Sequence, residues 1–236
     1  MLKAELHAHI RGDPQDKISH SGRMLVDRAR ALSYHVLAIT CHDRYFDDPQ
    51  LTNYAKSQGI LLIPGIEATI EGKHVLIYNA ARDIEEVQSF DALRAYKQRN
   101  PNILIIAPHP FYPDQSCLGR VVFDYRDLFD AWEVHSVYSA LYDPNREVIE
   151  RSQEIPLVGN GDIHELSTLG YTYSLIDAEP TVSRVVGAIK AGKVRVVTSP
   201  LPLMIFLRIG ISAVTHKLLA KIGLRERLLR PQPEHF

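Results

Sequence analysis

The chain has 236 residues, 45% of them hydrophobic, enough for one large core without a second domain. Its formal charge of -1, from 27 basic and 28 acidic residues, excludes a global attraction to nucleic acid or to an anionic membrane, so a polyanionic substrate must be held locally. Two cysteines, Cys41 and Cys117, are too few and too far apart for a disulfide framework, and the start of the chain has no apolar signal core, so a cytoplasmic protein is expected.

Residues 3 to 9 read as a first strand, followed by a polar loop from Arg11 to His20. Ser21 stands where a helix N-cap would, ahead of Met24, Leu25, Ala29 and Leu32 at helical spacing. Val36 to Thr40 has the β-rich character of a strand buried on both faces, and a helix around Pro49 to Gly59 leads to a third strand, Ile60 to Ile63. Pro64-Gly65 is expected to bend the chain before Glu67, and Ala68 to Tyr78, centred on Glu71-Gly72-Lys73, reads as an inserted hairpin. A helix over 84–98, a strand over 103–107, a short helix over 124–130 and a strand over 131–135 come next. The last part holds a helix over 144–153, strands over 156–160, 171–176 and 194–198, and a helix over 181–191 capped by Thr181 and closed by Gly192. Alternation of strand and helix through about seven units predicts an α/β fold with a closed parallel barrel over residues 1–200.

Residues 201–236 change character. Leu203 to Val214 is mostly apolar, with Lys217, Lys221, Arg225, Arg227 and Arg230 behind it. The apolar part is shorter than the roughly 20 residues a membrane span requires. A helical tail packed on the barrel or on a second subunit is the first expectation, and peripheral attachment to a membrane through 203–230 the second.

Chemistry concentrates at the predicted strand ends. Residues two apart on a strand share a face, which pairs His7 with His9 and Asp162 with His164. His42, Glu67, His109 and His135 each follow an apolar run. A lone histidine near a strand end is usually a satisfied polar residue, but burying this many polar groups together is costly without a compensating partner. Imidazole and carboxylate without thiolate suit zinc, manganese or iron in a catalytic site. Eight ligands exceed the needs of one ion with an open position, so two or three divalent ions are expected, with Glu67 suited to bridge ions about 3.5–4 Å apart. Cys41 reads as a small buried residue, and Glu5 either orients a ligand histidine or pairs with a core cation. Among the remaining histidines, His35, His74, His216 and His235 read as surface residues, and only His20 stays a candidate.

The stretches His7-Ala8-His9, Ile39-Thr40-Cys41-His42-Asp43, Pro64-Gly65-Ile66-Glu67, Ala107-Pro108-His109-Pro110, Glu133-Val134-His135 and Gly161-Asp162-Ile163-His164 resemble, in order, the motifs of the PHP (polymerase and histidinol phosphatase) family. The resemblance covers roughly residues 3 to 199 and implies a distorted (β/α)7 barrel, a trinuclear metal centre at the C-terminal strand ends, and phosphoester hydrolysis. Family members commonly have Thr after His-x-His and Asp before the second-motif histidine, where this chain has Ile10 and Cys41. Their first loop often supplies an aspartate ligand; its equivalent here is Asp13, Asp16 or His20, with Asp16 or His20 favoured.

The expected function is therefore hydrolysis of a small phosphomonoester or short nucleotide by metal-activated hydroxide, with Asp162 or a histidine such as His135 moving protons and Arg120 or Arg11 holding phosphate oxygens. No stable nucleic-acid complex is expected from the near-neutral charge. The competing readings are a nuclease of the same fold, an amidohydrolase-like C–N hydrolase, and a non-catalytic metal-bearing scaffold. The second normally places a bridging lysine where Glu67 stands.

Overall fold

A computed structural model describes residues 1–153 and 155–211. In chain order the elements are β1 (Leu2–Glu5), α1 (Gly22–Ala31), β2 (Val36–Ile39), α2 (Pro49–Ser57), β3 (Leu61–Ile70), β4 (Lys73–Tyr78), α3 (Phe90–Arg99), β5 (Leu104–Ala107), α4 (Val121–Asp124), β6 (Ala131–His135), α5 (Asn145–Ser152), β7 (Leu157–Asn160), β8 (Thr172–Ile176), α6 (Val182–Lys190) and β9 (Val194–Thr198). The strands form one sheet in the order β7-β6-β5-β4-β3-β2-β1-β8-β9. Its alternating residues separate into two layers. Val36, Ala38, Ile63, Leu104, Ile106 and Val158 gather with Val185 and Ile189 of α6, while Leu37 and Ile39 pack against Leu25, Ala29 and Ala55 of α1 and α2.

The sheet curls into a nearly closed barrel, as the strand–helix alternation predicts, but it is not uniformly parallel. β4 runs antiparallel to both β3 and β5, and β8 and β9 are antiparallel to their neighbours. The cause is local at β3–β4. Glu71 and Gly72 have φ of 49° and 76°, the left-handed pair of a tight hairpin turn, so the expected hairpin forms and its second arm becomes a barrel strand. Pro64-Gly65 does not bend the chain. Pro64 pairs in register with Ile39, and a Cβ on Gly65 would stand 3.0 Å from both Thr40 Cγ2 and Tyr78 Cδ1, so the missing side chain lets β3 run through a crowded point.

Side chains and one short backbone bridge, rather than a continuous ladder, close the barrel. Leu6 N–H donates to Asn160 Oδ1 at 3.1 Å; above it His9 N–H donates to Ile163 O at 3.1 Å and Ile163 N–H to His7 O at 3.0 Å. Ser174 Oγ of β8 accepts from Gly159 N–H at 2.9 Å and donates to Gly159 O at 3.0 Å. A Cβ on Gly159 would lie 2.8 Å from Tyr173 O, so only glycine allows β7 to come this close to β8.

Ser21 and Asp48 cap α1 and α2 as side-chain acceptors. The helix expected over 84–98 divides, because Ser89 Oγ accepts from Ala92 N–H at 3.2 Å and starts α3 afresh after a 3-10 turn at Arg82–Glu86. Thr181 precedes α6 without making the expected side-chain cap. Within the tail, 203–211 is helical, with Ile205, Phe206 and Ile209 half-buried and Leu203, Met204, Leu207 and Ile211 turned outward. The expectations for Lys217, Lys221, Arg225, Arg227, Arg230, His216 and His235 lie outside the described residues. No helix among the described residues is long and apolar enough to cross a membrane.

Candidate metal centre

β1 ends at Glu5, so the His7/His9 pairing does not come from an unbroken strand. At Leu6 side chains replace the ladder: Asn160 holds Leu6 N–H, and the Tyr78 hydroxyl donates to Leu6 O at 2.7 Å. Glu5 does neither of the two things expected of it. Its carboxylate accepts from the backbone N–H of His7 at 3.0 Å and of Gly161 at 2.9 Å, tying the ligand-bearing segment after β1 to the one after β7. Gly161 is required there, since a Cβ would stand 2.9 Å from Glu5 Oε2. Asp162, His109 and Asp43 have φ of 48°, 28° and 49°, left-handed conformations that side-chain residues rarely adopt and that cluster at functional sites.

One atom each from His7, His9, Glu67 and Asp162 lies within 4.8 Å of the others. The outer nitrogens of the two histidines are already used. His7 Nδ1 is 2.9 Å from Glu133 Oε1 and His9 Nδ1 2.8 Å from Asp13 Oδ2, which in the neutral tautomer puts each proton on Nδ1 and leaves each Nε2 with a lone pair. Those lone pairs face more acceptors. Glu67 Oε2 is 3.2 Å from Nε2 of His7, His9 and His42, and Asp162 Oδ1 is 3.1 Å from His9 Nε2. His9 Nε2 and Asp162 Oδ1 are both buried without a hydrogen bond. Acceptors converging this closely fit a shared cation, and the oxygen and imidazole set fits a divalent ion.

The other expected residues gather around this core. His42 Nδ1 is 3.0 Å from Asp13 Oδ1, and His109 Nε2 is 3.5 Å from Glu67 Oε1 while its Nδ1 is 3.1 Å from Cys117 Sγ. His164 Nδ1 is 3.1 Å from the Asp162 carbonyl, and its Nε2 is 3.0 Å from Asp16 Oδ2. His135 differs in tautomer: Val137 N–H donates to its Nδ1 at 3.2 Å, so the neutral ring carries its proton on Nε2, 3.3 Å from Asp162 Oδ2.

In the first loop Asp16 faces the centre, whereas His20 belongs to none of the ligand groups. Asp13, the candidate not favoured, is buried and carries the heaviest load, holding His9, His42 and the N–H of His42 at 3.0 Å. Arg11 donates to Ser19 O, and Arg120 is exposed ahead of α4, its side chain without a hydrogen bond or ion pair among the described residues. Sequence reasoning missed Glu133 and His74. Glu133 also accepts from His109 N–H at 2.8 Å and Asn160 Nδ2 at 2.9 Å, and its position two before His135 was the available signal. His74, expected on the surface, puts Nδ1 2.8 Å from Glu67 Oε1; it lies at the N-terminal end of the antiparallel strand β4, so a search for residues that follow apolar runs carried no signal.

Electrostatics follow from this packing. Burial opposes charge on His7 and His9, yet the carboxylates win: Asp162, Glu133 and Glu67 raise the His7 pKa well above the imidazole range, and Asp13, Asp162 and Glu67 do the same for His9 against the nearby His164. Burial likewise opposes ionisation of Glu67 and Asp162, but their histidine neighbours hold both well below the usual carboxylate range. Glu5 has only backbone donors and a weak histidine attraction, so burial prevails and pushes it up to about 8.

No protein-family model and no curated protein sequence matches the chain. Solved structures do. A two-domain protein from Bacteroides vulgatus, described as containing a predicted PHP-like metal-dependent phosphoesterase, aligns over 88% of this chain and 68% of its own with a TM-score of 0.65 at 20% identity. PsfC from Pseudomonas syringae aligns over 92% and 98% with a TM-score of 0.62 at 14% identity. The lesion-specific endonuclease Q of Pyrococcus furiosus aligns over 83% of this chain and 57% of its own, with a TM-score of 0.55 at 15% identity. The barrel, its irregular strand directions and its place among these structures agree: the chain has the TIM-like fold of the PHP-like metal-dependent phosphoesterases.

Proposed function

We propose that the protein is a metal-dependent hydrolase of phosphoesters, acting on a small phosphomonoester or short nucleotide with two or three divalent ions, zinc, manganese or iron. The observation that carries this reading is the convergence of three imidazole Nε2 atoms on one oxygen of Glu67, each at 3.2 Å, beside the unpartnered Asp162 Oδ1. His7, His9, Glu67 and Asp162 would hold one ion, His42, His74 and His109 offer further nitrogen around Glu67, and Asp16 with His164 forms the outer edge. Bound divalent cations supply Lewis acidity toward water and phosphoryl oxygens.

The chain's own contribution is orientation and proton handling. Glu133 and Asp13 fix the tautomers of His7, His9 and His42 so that Nε2 points inward. His135 holds a proton on Nε2 against Asp162 Oδ2, a donor suited to hydrogen-bond a phosphoryl or departing oxygen. The near-neutral overall charge of -1 favours a compact substrate over a long polyanion. Glu67 also disfavours the C–N hydrolase reading, which calls for a bridging lysine.

The experiment strips the protein with chelator, reloads it with Mn²⁺ or Zn²⁺, and offers p-nitrophenyl phosphate, a nucleotide panel, an abasic-site DNA duplex and an N-acyl amide. Phosphoester turnover that returns with metal supports the reading. Metal-loaded protein that leaves every phosphoester intact refutes it, and cleavage of the amide alone would transfer the assignment to C–N hydrolysis.

A further inference from the structure

His20 is 1% exposed, and neither ring nitrogen completes a hydrogen bond. A buried imidazole in that state is unusual, because an unsatisfied polar group is costly to keep from water. No carboxylate of the metal centre forms an ion pair with it among the described residues. In either neutral tautomer one of its two ring nitrogens carries a hydrogen to donate.

His20 lines a groove of about 440 Å³ whose other walls include Lys17, Met24, His164, Leu166 and Arg208. That volume lies within the range of about 300–1,000 Å³ typical of small-molecule clefts. His164 belongs to both the groove and the metal-ligand cluster through its contacts with Asp16 and Asp162. The groove therefore opens beside the cluster at His164. Met24 and Leu166 offer apolar contact. Its charge balance is positive: Arg208 pairs with Glu165 and donates to Ser167 Oγ at 3.1 Å, whereas Lys17 has no carboxylate partner among the described residues. Arg11 is tied to one lining residue, donating to Ser19 O at 2.8 Å.

We infer that this groove receives the leaving group of the substrate, and that the leaving group carries a second anion, a carboxylate or a phosphate, attracted by Lys17 and Arg208 and met by the His20 N–H. The inference rests on the phosphoester reading above and narrows it to phosphoesters with a second negative group beyond the scissile bond. A ring N–H of His20 is suited to the task, since it donates to an oxygen anion.

Two measurements on the full chain test it. In the first, the Mn²⁺-loaded protein hydrolyses phenyl phosphate and 4-carboxyphenyl phosphate; kcat/KM is expected to favour the second about tenfold or more, the effect of one charge-assisted hydrogen bond. Lys17→Gln and Arg208→Gln should each shrink that ratio several-fold, whereas Lys56→Gln, on exposed α2, should leave it unchanged. In the second, calorimetry follows binding of phenol, 4-hydroxybenzoate and 4-hydroxyphenylphosphonate. Both anions should bind more tightly than phenol, with the preference reduced in Lys17→Gln and His20→Phe, and the tighter of the two identifies the anion. Equal binding of phenol and both anions, or an anion preference that survives Lys17→Gln and Arg208→Gln, overturns the inference. Because the calorimetric arm needs no turnover, an inert enzyme that still selects the anions would sink the hydrolase reading and leave the groove assignment standing.

Discussion

Asp13→Asn tests the claim that a single carboxylate aims two metal-ligand histidines. Asp13 Oδ2 is 2.8 Å from His9 Nδ1, and Oδ1 is 3.0 Å from His42 Nδ1. Asparagine keeps the shape but replaces one oxygen with an NH₂ group, which offers no lone pair to an imidazole N–H. One histidine must then lose its acceptor and its preferred tautomer. Loss of such an orienting partner typically costs 10–100-fold in metal affinity, or about 1.4–2.7 kcal/mol. Asp13→Ala removes both acceptors, and two independent losses would compound to roughly 10²–10⁴-fold. Alanine also releases the N–H groups of Gln15 and Asp16, so asparagine is the cleaner probe. The assay is a Mn²⁺ or Zn²⁺ titration against a chromophoric chelator, with thermal unfolding of the metal-free protein as a check on the fold. A folded Asp13→Asn protein binding metal within twofold of the parent would refute the orienting role.

Three further outcomes follow from the same geometry. The raised pKa values of His7, His9, His109 and His164 contribute stability that is fully present below the unfolded histidine value near 6.5 and lost as pH rises through the folded values, and Glu5, raised to about 8, loses its contribution between about 4.5 and 8. The metal-free protein should therefore unfold some 5–10 °C lower at pH 8.5 than at pH 6, a few kcal/mol at about 2–4 °C each, with added metal flattening the slope; a Tm that rises with pH in chelator contradicts the assignment. Gly159→Ala should lower Tm by about 5 °C, since its Cβ would press on Tyr173 O in a strand paired on both sides, and unchanged Tm and metal binding would show that β7 and β8 need not touch there. His74→Ala should weaken one class of metal site at least tenfold, read as metal content after dialysis by plasma mass spectrometry; full retention of metal would return His74 to the status of an exposed histidine.

Reading by residue type and position reached the barrel and most of the cluster because both depend on local order. Apolar runs such as Val36 to Ile39 form strands wherever helices cover both faces, and a polar residue just beyond such a run falls at the barrel rim. His42, Glu67, His109, His135, Asp162 and His164 were legible for that reason. Pro64-Gly65 misled because the bend implied by the dipeptide gives way to pairing with β2. His74 was hidden because its role depends on a hairpin arm joining the barrel sheet.

What the residue order determined by itself is the set of chemical types and their place at strand ends, since strand propensity and two-residue periodicity act over a few neighbours. What only the tertiary structure decided is which groups touch: Asp13 behind His9 and His42, Glu133 behind His7, and His20 in the groove that it shares with His164. Those partners are up to 126 positions apart, and their contact depends on the curl of the whole sheet, through Leu6 on Asn160 and Gly159 on Ser174, which no local preference encodes.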